Sequence, residues 1–195
     1  MTTKVNTASS RMVRPSTGSF GKVSWEDYRS TLITVNNMGA VYDIQGDYSK
    51  ALEWYGRALV GREKSLGKDH PNTLTTVKNI AGVYYNQGYY SISLELYGRA
   101  LAEKEKSLEK DYFSTLITVN SMASVHDKQG NYSKALEWYG RALAGKEKTL
   151  GKEHPSTVST ASSWSIAKVK AKTGKSPFSL VSIAAGIVTN VIRWI

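Results

Sequence analysis

The 195-residue sequence contains no cysteine. That excludes a disulfide framework, a thiolate metal site and a cysteine nucleophile, and it suits a reducing compartment. Histidine is scarce as well: His70, His126 and His154 are the only three, and no two are spaced to ligate one metal from a single helix. The carboxylates are scattered among lysines, with no pair isolated in an apolar setting, so acid–base catalysis finds no support. Phosphate-cradling glycine loops and the nucleophile-elbow pattern are both missing. The first twenty residues lack the apolar stretch of a secretory signal. These gaps lead us to expect a cytoplasmic protein that is not an enzyme and holds no cofactor and no metal.

Acidic residues are absent from positions 154–195, which carry five basic ones. Half of the formal net charge of +10 therefore lies at that end. Residues 70–111 hold five of each sign. A domain built to neutralise phosphates shows its excess as a basic face, so nucleic acid is not an expected partner. With 41% hydrophobic and 22% charged residues, the chain can bury a core.

What the sequence does have is an internal repeat. The run YRSTL at Tyr28 returns 42 residues later as HPNTL at His70, then as YFSTL at Tyr112 and HPSTV at His154. Unit 28–69 matches unit 112–153 at 31 of 42 positions and unit 70–111 at 24 of 42, which suggests that an 84-residue double unit duplicated. Each unit reads as two helices. In the first, Leu32, Val35, Met38 and Tyr42 form one apolar stripe, repeated as Leu74, Val77, Ile80, Tyr84 and as Leu116, Val119, Met122, His126. Ser30, Asn72, Ser114 and Ser156 are expected to cap these helices, and Gly46, Gly88 and Gly130 to end them. Ser49, Ser91 and Ser133 are expected to cap the second helices. The buried face there is Ala51, Leu52, Tyr55, Ala58 and Leu59, with counterparts in both later units. Pairs four apart, Glu53–Arg57, Glu95–Arg99 and Glu137–Arg141, should lie on a solvated outer face.

The run VNNMGAVYDIQGDYSKALEWYGRAL (Val35–Leu59), with Met38, Gly39, Tyr42, Gly46, Tyr48, Ala51, Tyr55 and Ala58 at recurring small and large positions, resembles the tetratricopeptide repeat (TPR) family. The REKSLGKDHP connection (Arg62–Pro71) is similar to its kinesin-light-chain-like subclass with 42-residue units. The resemblance implies an all-α fold: a right-handed α-solenoid of helix-turn-helix units, with about three complete repeats plus a degenerate fourth. Gly56, Gly98 and Gly140 depart from the family pattern by sitting inside the second helix. No sustained heptad run is present, which argues against a motor subunit.

Stacked units leave a concave groove lined by the first helices, suited to a peptide or a partner protein. Residues off the apolar stripe are the groove candidates: Asn36, Asn37, Ala40 and Asp43 in unit one, Lys78, Asn79, Gly82, Tyr85 and Asn86 in unit two, and Asn120, Ser121, Ser124, Asp127 and Lys128 in unit three. Asparagine there resembles the family's peptide-backbone contacts, because its amide donates and accepts together. Lys78 and Lys128 can meet an acidic ligand, whereas Asp43 and Asp127 oppose a purely acid-selective groove. Tyr85, Tyr89 and Tyr90 either stack on a ligand or pack between helices. Trp54 and Trp138 share one position and read as packing residues.

The ends differ from the repeats. Residues 1–27 read as a disordered basic leader rich in Ser and Thr, with a transit-peptide-like composition as the alternative. Residues 154–195 read as a degenerate repeat start, a basic linker with Lys168, Lys170, Lys172 and Lys175, and an apolar stretch, Phe178–Ile195. That stretch is either a helix docking on the array, a membrane anchor or an aberrant terminus, and self-association through it is a further possibility. The functional expectation is a protein-interaction scaffold. The alternatives are a membrane-tethered adaptor and the recognition fragment of a larger sensor or regulator.

Overall fold

The computed structural model describes residues 25–106 and 112–174. The expectations for the leader and for the apolar stretch 178–195 lie outside the described residues. Among the described residues seven helices follow one another: α1 (Trp25–Ile44), α2 (Tyr48–Leu66), α3 (Pro71–Asn86), α4 (Tyr90–Lys106), α5 (Tyr112–Lys128), α6 (Tyr132–Leu150) and α7 (Pro155–Thr173). Among the described residues there is no strand. The all-α repeat array expected from the 42-residue period is what forms.

Each turn from first to second helix is built the same way. Gly46, Gly88 and Gly130 stand at φ +78°, +84° and +79°, where an L side chain is strained. At the first turn the Gly46 amide donates to Asp43 O (3.0 Å) and the Asp47 amide to Tyr42 O (2.9 Å). The same two bonds recur at Tyr85 and Tyr84, and at Asp127 and His126. This paired closure satisfies the last carbonyls of the helix and turns the chain back.

The helix starts differ from expectation. Asn72 and Ser156 are not caps. Their amides donate to the Nδ1 atoms of His70 and His154, at 3.1 and 3.2 Å, and Pro71 and Pro155 occupy the first helical positions, where no amide is needed. Ser30 and Ser114 lie inside α1 and α5, because those helices begin earlier. Ser49, Ser91 and Ser133 likewise lie in the first turns of α2, α4 and α6. Asp47 caps α2 instead, accepting from the Lys50 amide at 3.2 Å.

The core is divided among the joints between units. Ala51 and Tyr55 meet Val83 at the first joint. Ala81, Tyr97 and Leu101 meet Val119, Met122 and Val125 at the second. Ala123, Ala135 and Tyr139 meet Ala167 and Trp164 at the third. Val83, Val125 and Ala167 hold one repeat position and are completely buried, whereas Val41 at that position in α1 is 47% exposed. Burial at this position therefore comes from the neighbouring unit, not from the hairpin's own partner helix. The basic run Lys168–Lys172, expected as a linker, is the last part of α7, and Trp164 and Ala167 of that helix cover unit three.

Candidate functional site: the first-helix face

One set of side-chain bonds runs between helices of the same kind in successive units. First helices link to first helices, as in Asn86 Nδ2 to Asp43 Oδ1 at 3.0 Å and Lys170 Nζ to Asp127 Oδ2 at 2.7 Å. Second helices link to second helices: Arg99 pairs with Glu63 at 3.1 Å, and Arg141 pairs with Glu105. The outer-face arginines thus reach back one unit rather than to Glu95 and Glu137 in their own helices. Arg57 lies over the Trp54 ring, 4.6 Å from its centroid, which makes that tryptophan part of a surface stack.

Several groove candidates are spoken for inside the protein. Asn36 is buried, and its Oδ1 accepts from Thr76 Oγ1 (3.1 Å) and from Arg62 Nη1 (3.4 Å). This corrects its expected placement on the open groove: it belongs to the joint between α1 and α3. Arg62 itself is buried and also donates to Asn72 O and Thr76 Oγ1, both at 2.7 Å. Burial lowers the pKa of its guanidinium, and these oxygens offset the cost of desolvating the charge. The third joint repeats the device. Thr160 Oγ1 donates to Asn120 Oδ1 at 2.9 Å, and the buried ammonium of Lys146 donates to Thr160 Oγ1 at 2.8 Å and to Ser156 O at 3.4 Å. Ser124 is occupied as well, with its hydroxyl 3.0 Å from Tyr139 OH and donating to Asn120 O at 3.2 Å.

Arg62, Thr76, Lys146 and Thr160 were not among the candidates. Their signal was in the sequence all the same: basic residues recur at 62, 104 and 146, and threonine at 76, 118 and 160, each 42 apart.

Others remain open. Asn37 is exposed and Asn79 half-buried. Lys78 is half-buried, burial lowers its pKa, and among the described residues it has no hydrogen-bond or ion-pair partner. Lys128 is exposed and likewise unpartnered among the described residues. Tyr85 tilts against Tyr90 at 6.1 Å between ring centroids, both packing on the central core, so they belong to packing between helices. Tyr89 is 58% exposed and meets Tyr84 edge-on. An open depression of about 550 Å³ lies elsewhere, between α1 and α2, lined by Leu32, Gly56, Val60 and Lys64 among others. His126 is buried in the slot that holds Tyr42 and Tyr84, and burial lowers its pKa. Among the described residues no group of acidic or histidine side chains is arranged to hold a metal, and no helix is long and apolar enough to cross a membrane.

Comparison with known proteins agrees with this geometry. The family model described as tetratricopeptide repeat matches residues 30–106 and 76–148. A Podosopora anserina structure described as a kinesin light chain with nearly identical TPR-like repeats superposes with a TM-score of 0.64 at 23% identity, covering 74% of this chain and 77% of its own. BtubC (BKLC) from P. vanneervenii gives 0.66 at 17% identity, over 76% of this chain and 58% of its own. The N-terminal domain of stress-induced protein-1 from C. elegans gives 0.51 at 18% identity, over 71% and 97%. At these identities the likeness is one of fold. No match was found among curated proteins. With more than half of its length matched by the family model, and with helical hairpins sheltering one another's cores, the chain belongs to the tetratricopeptide repeat family.

Proposed function

We propose that this protein is a non-catalytic scaffold that binds an extended peptide, or a segment of a partner protein, along its first-helix face. The observation that carries the reading is the division of the polar side chains on that face. Asn36 and Asn120 are consumed in holding units together, while Asn37 on α1 and Lys78 and Asn79 on α3 keep their amides and ammonium available. Free amides that both donate and accept match a peptide backbone, and a partly desolvated ammonium interacts strongly with any acceptor brought to it. Tetratricopeptide repeat proteins act in general as interaction scaffolds, and membership of that family supports a protein partner. The cysteine-free composition suits a cytoplasmic scaffold.

The test is a peptide array probed with the full-length protein and with an Asn37→Ala, Lys78→Gln, Asn79→Ala variant. Peptides bound by the parent should lose about tenfold or more in affinity in the variant, since each lost bond to such a group is worth roughly 0.5–1.5 kcal/mol. Equal binding by both proteins would remove this face from the account.

A further inference from the structure

Helix α7 has one face packed and another bare. Thr157, Thr160 and Ala167 are buried, and Ala167 and Trp164 pack on unit three. A second stripe is open among the described residues. Val158 is 49% exposed, although Leu32, Leu74 and Leu116 at the same repeat position are at 7%, 2% and 3%. Ser165 is exposed, whereas Gly39, Ala81 and Ala123 at its position are buried. In the other units both positions face the second helix of their own hairpin. Leu32 lines the depression shared with Gly56 and Val60 of α2, and a Cβ at Gly39 would lie 2.7 Å from the Tyr55 ring. Ala81 likewise shares a buried cluster with Tyr97, and Ala123 with Tyr139. The bare stripe of α7 is therefore shaped as the seat of a second helix.

The sequence that follows α7 carries the pattern of such a helix. Gly174 stands at φ +66°, left-handed like the turn glycines Gly46, Gly88 and Gly130. Counted from Gly46, small residues fall at +5 and +12 (Ala51, Ala58) and large ones at +6, +9 and +13 (Leu52, Tyr55, Leu59). The same count from Gly174 gives Ser179 and Gly186, then Leu180, Ile183 and Ile187. Unit two also has serine, Ser93, at the first small position. A strict 42-residue count hides this match, because Gly174 comes two residues after the place that the period gives to the turn glycine. Ser176 and Pro177 add a helix-start pair, a capping hydroxyl followed by proline. We propose that Phe178–Ile195 lies along the bare stripe of α7 as the second helix of a fourth unit, with Ile183 over Ser165. Gly186 then takes the slot in which Ala58, Ala100 and Ala142 are completely buried. The 18-residue stretch is long enough, since α4 pairs with α3 using 17 residues. Ala185 stands in the slot of Arg99 and Arg141, so the ion pairs these make to the preceding unit are not repeated and the attachment is apolar. With this cover α7 becomes an inner helix like α3 and α5, and the first-helix face is four helices wide. The inference rests on repeat geometry alone and holds whatever that face binds.

The absence of native cysteine makes the test direct. Full-length Ser165→Cys and Ser159→Cys are each treated with a maleimide reagent; Ser159 is exposed and lies off the stripe. The thiol at 165 should react about tenfold or more slowly than that at 159, because thiol reactivity follows access. Adding Gly186→Arg, which forces a long charged side chain into the small slot, should bring the thiol at 165 up to the rate at 159. Under mild oxidation Ser165→Cys/Ile183→Cys should close a disulfide within one chain, since facing Cβ atoms in this register lie within bridging reach. Equal rates at 165 and 159 in the pure full-length protein would leave the stripe to a partner from outside the chain and overturn the assignment. A slow rate that Gly186→Arg leaves unchanged would overturn it as well, and disulfides formed only between chains would give the seat to a second copy instead.

Discussion

The same substitution, glycine to alanine, should have opposite consequences at two places in this array, and the structure says why. Gly98 lies in the middle of α4, and a Cβ built there meets nothing within 4 Å. Gly56 in α2 is equally open. Both hold helical backbone, so alanine introduces no strain and removes conformational freedom from the unfolded chain, a gain of about 0.8–1.0 kcal/mol per site. The sites are in separate helices and should add, giving roughly 2 kcal/mol for the double variant. For a chain of this size that corresponds to a rise in Tm of about 4–8 °C. Gly39 is the counter-example. Its Cβ would lie 2.7–2.8 Å from three ring carbons of Tyr55, a side chain that is 2% exposed. Displacing that ring costs about 1–3 kcal/mol, which cancels or outweighs the gain in helix propensity. Units two and three carry alanine at this position, Ala81 and Ala123, so the first hairpin alone is packed this closely. Thermal and urea unfolding followed by circular dichroism at 222 nm should show Gly56→Ala/Gly98→Ala above the parent and Gly39→Ala at or below it. If Gly39→Ala stabilises as much as Gly98→Ala, the close approach of Tyr55 does not govern that position and the reasoning fails.

Other outcomes follow from the joints and the buried groups. Thr76→Val removes a 2.7 Å acceptor from the buried Arg62 and should cost about 1–3 kcal/mol in urea unfolding, whereas Thr118→Val, whose hydroxyl serves only its own helix among the described residues, should cost clearly less; equal losses would contradict the joint network. Burial lowers the pKa of His126 below its ordinary 6.5, so the unfolded chain takes up the proton first and stability should fall as pH drops through 6.5 towards the folded value. Tyrosine fills that slot in units one and two, so His126→Tyr should flatten this acid limb in melts between pH 7 and 5, and an unchanged limb would place its origin elsewhere. Burial raises Tyr55 to about 12 and also raises Tyr97 and Tyr139. The folded protein therefore keeps these protons where the unfolded chain loses them, stability falls as pH rises above 10, and tyrosinate absorbance near 295 nm should appear together with unfolding.

The reach of the sequence can be traced through particular residues. The Gln-Gly turns, the apolar stripe of the first helix and the small–large alternation of the second were legible because they are local. A left-handed residue, a 3.6-residue period and a capped terminus each involve neighbours within a few positions. Local reading failed where two local solutions compete. Serine and asparagine near the helix starts looked like caps, but the imidazoles of His70 and His154 stood two residues earlier and took the amides. Glu137 and Arg141 have good intrahelical spacing, but Glu105 of the preceding unit offers Arg141 a partner that spacing within one helix cannot reveal.

The candidate face shows the limit more sharply. Asn36 and Asn37 are adjacent and chemically identical, and no property of the sequence alone separates them. Stacking separates them: the turn of α1 puts Asn36 against Arg62 of its own hairpin and Thr76 of the next and leaves Asn37 outside. The amino-acid sequence by itself determined that the chain is a series of equivalent helical hairpins, because hydrophobic periodicity and turn chemistry act over short distances. Which polar side chains bind the units together, and which of those described stay free, depended on contacts about 40 residues apart. Those contacts exist only once the hairpins have packed.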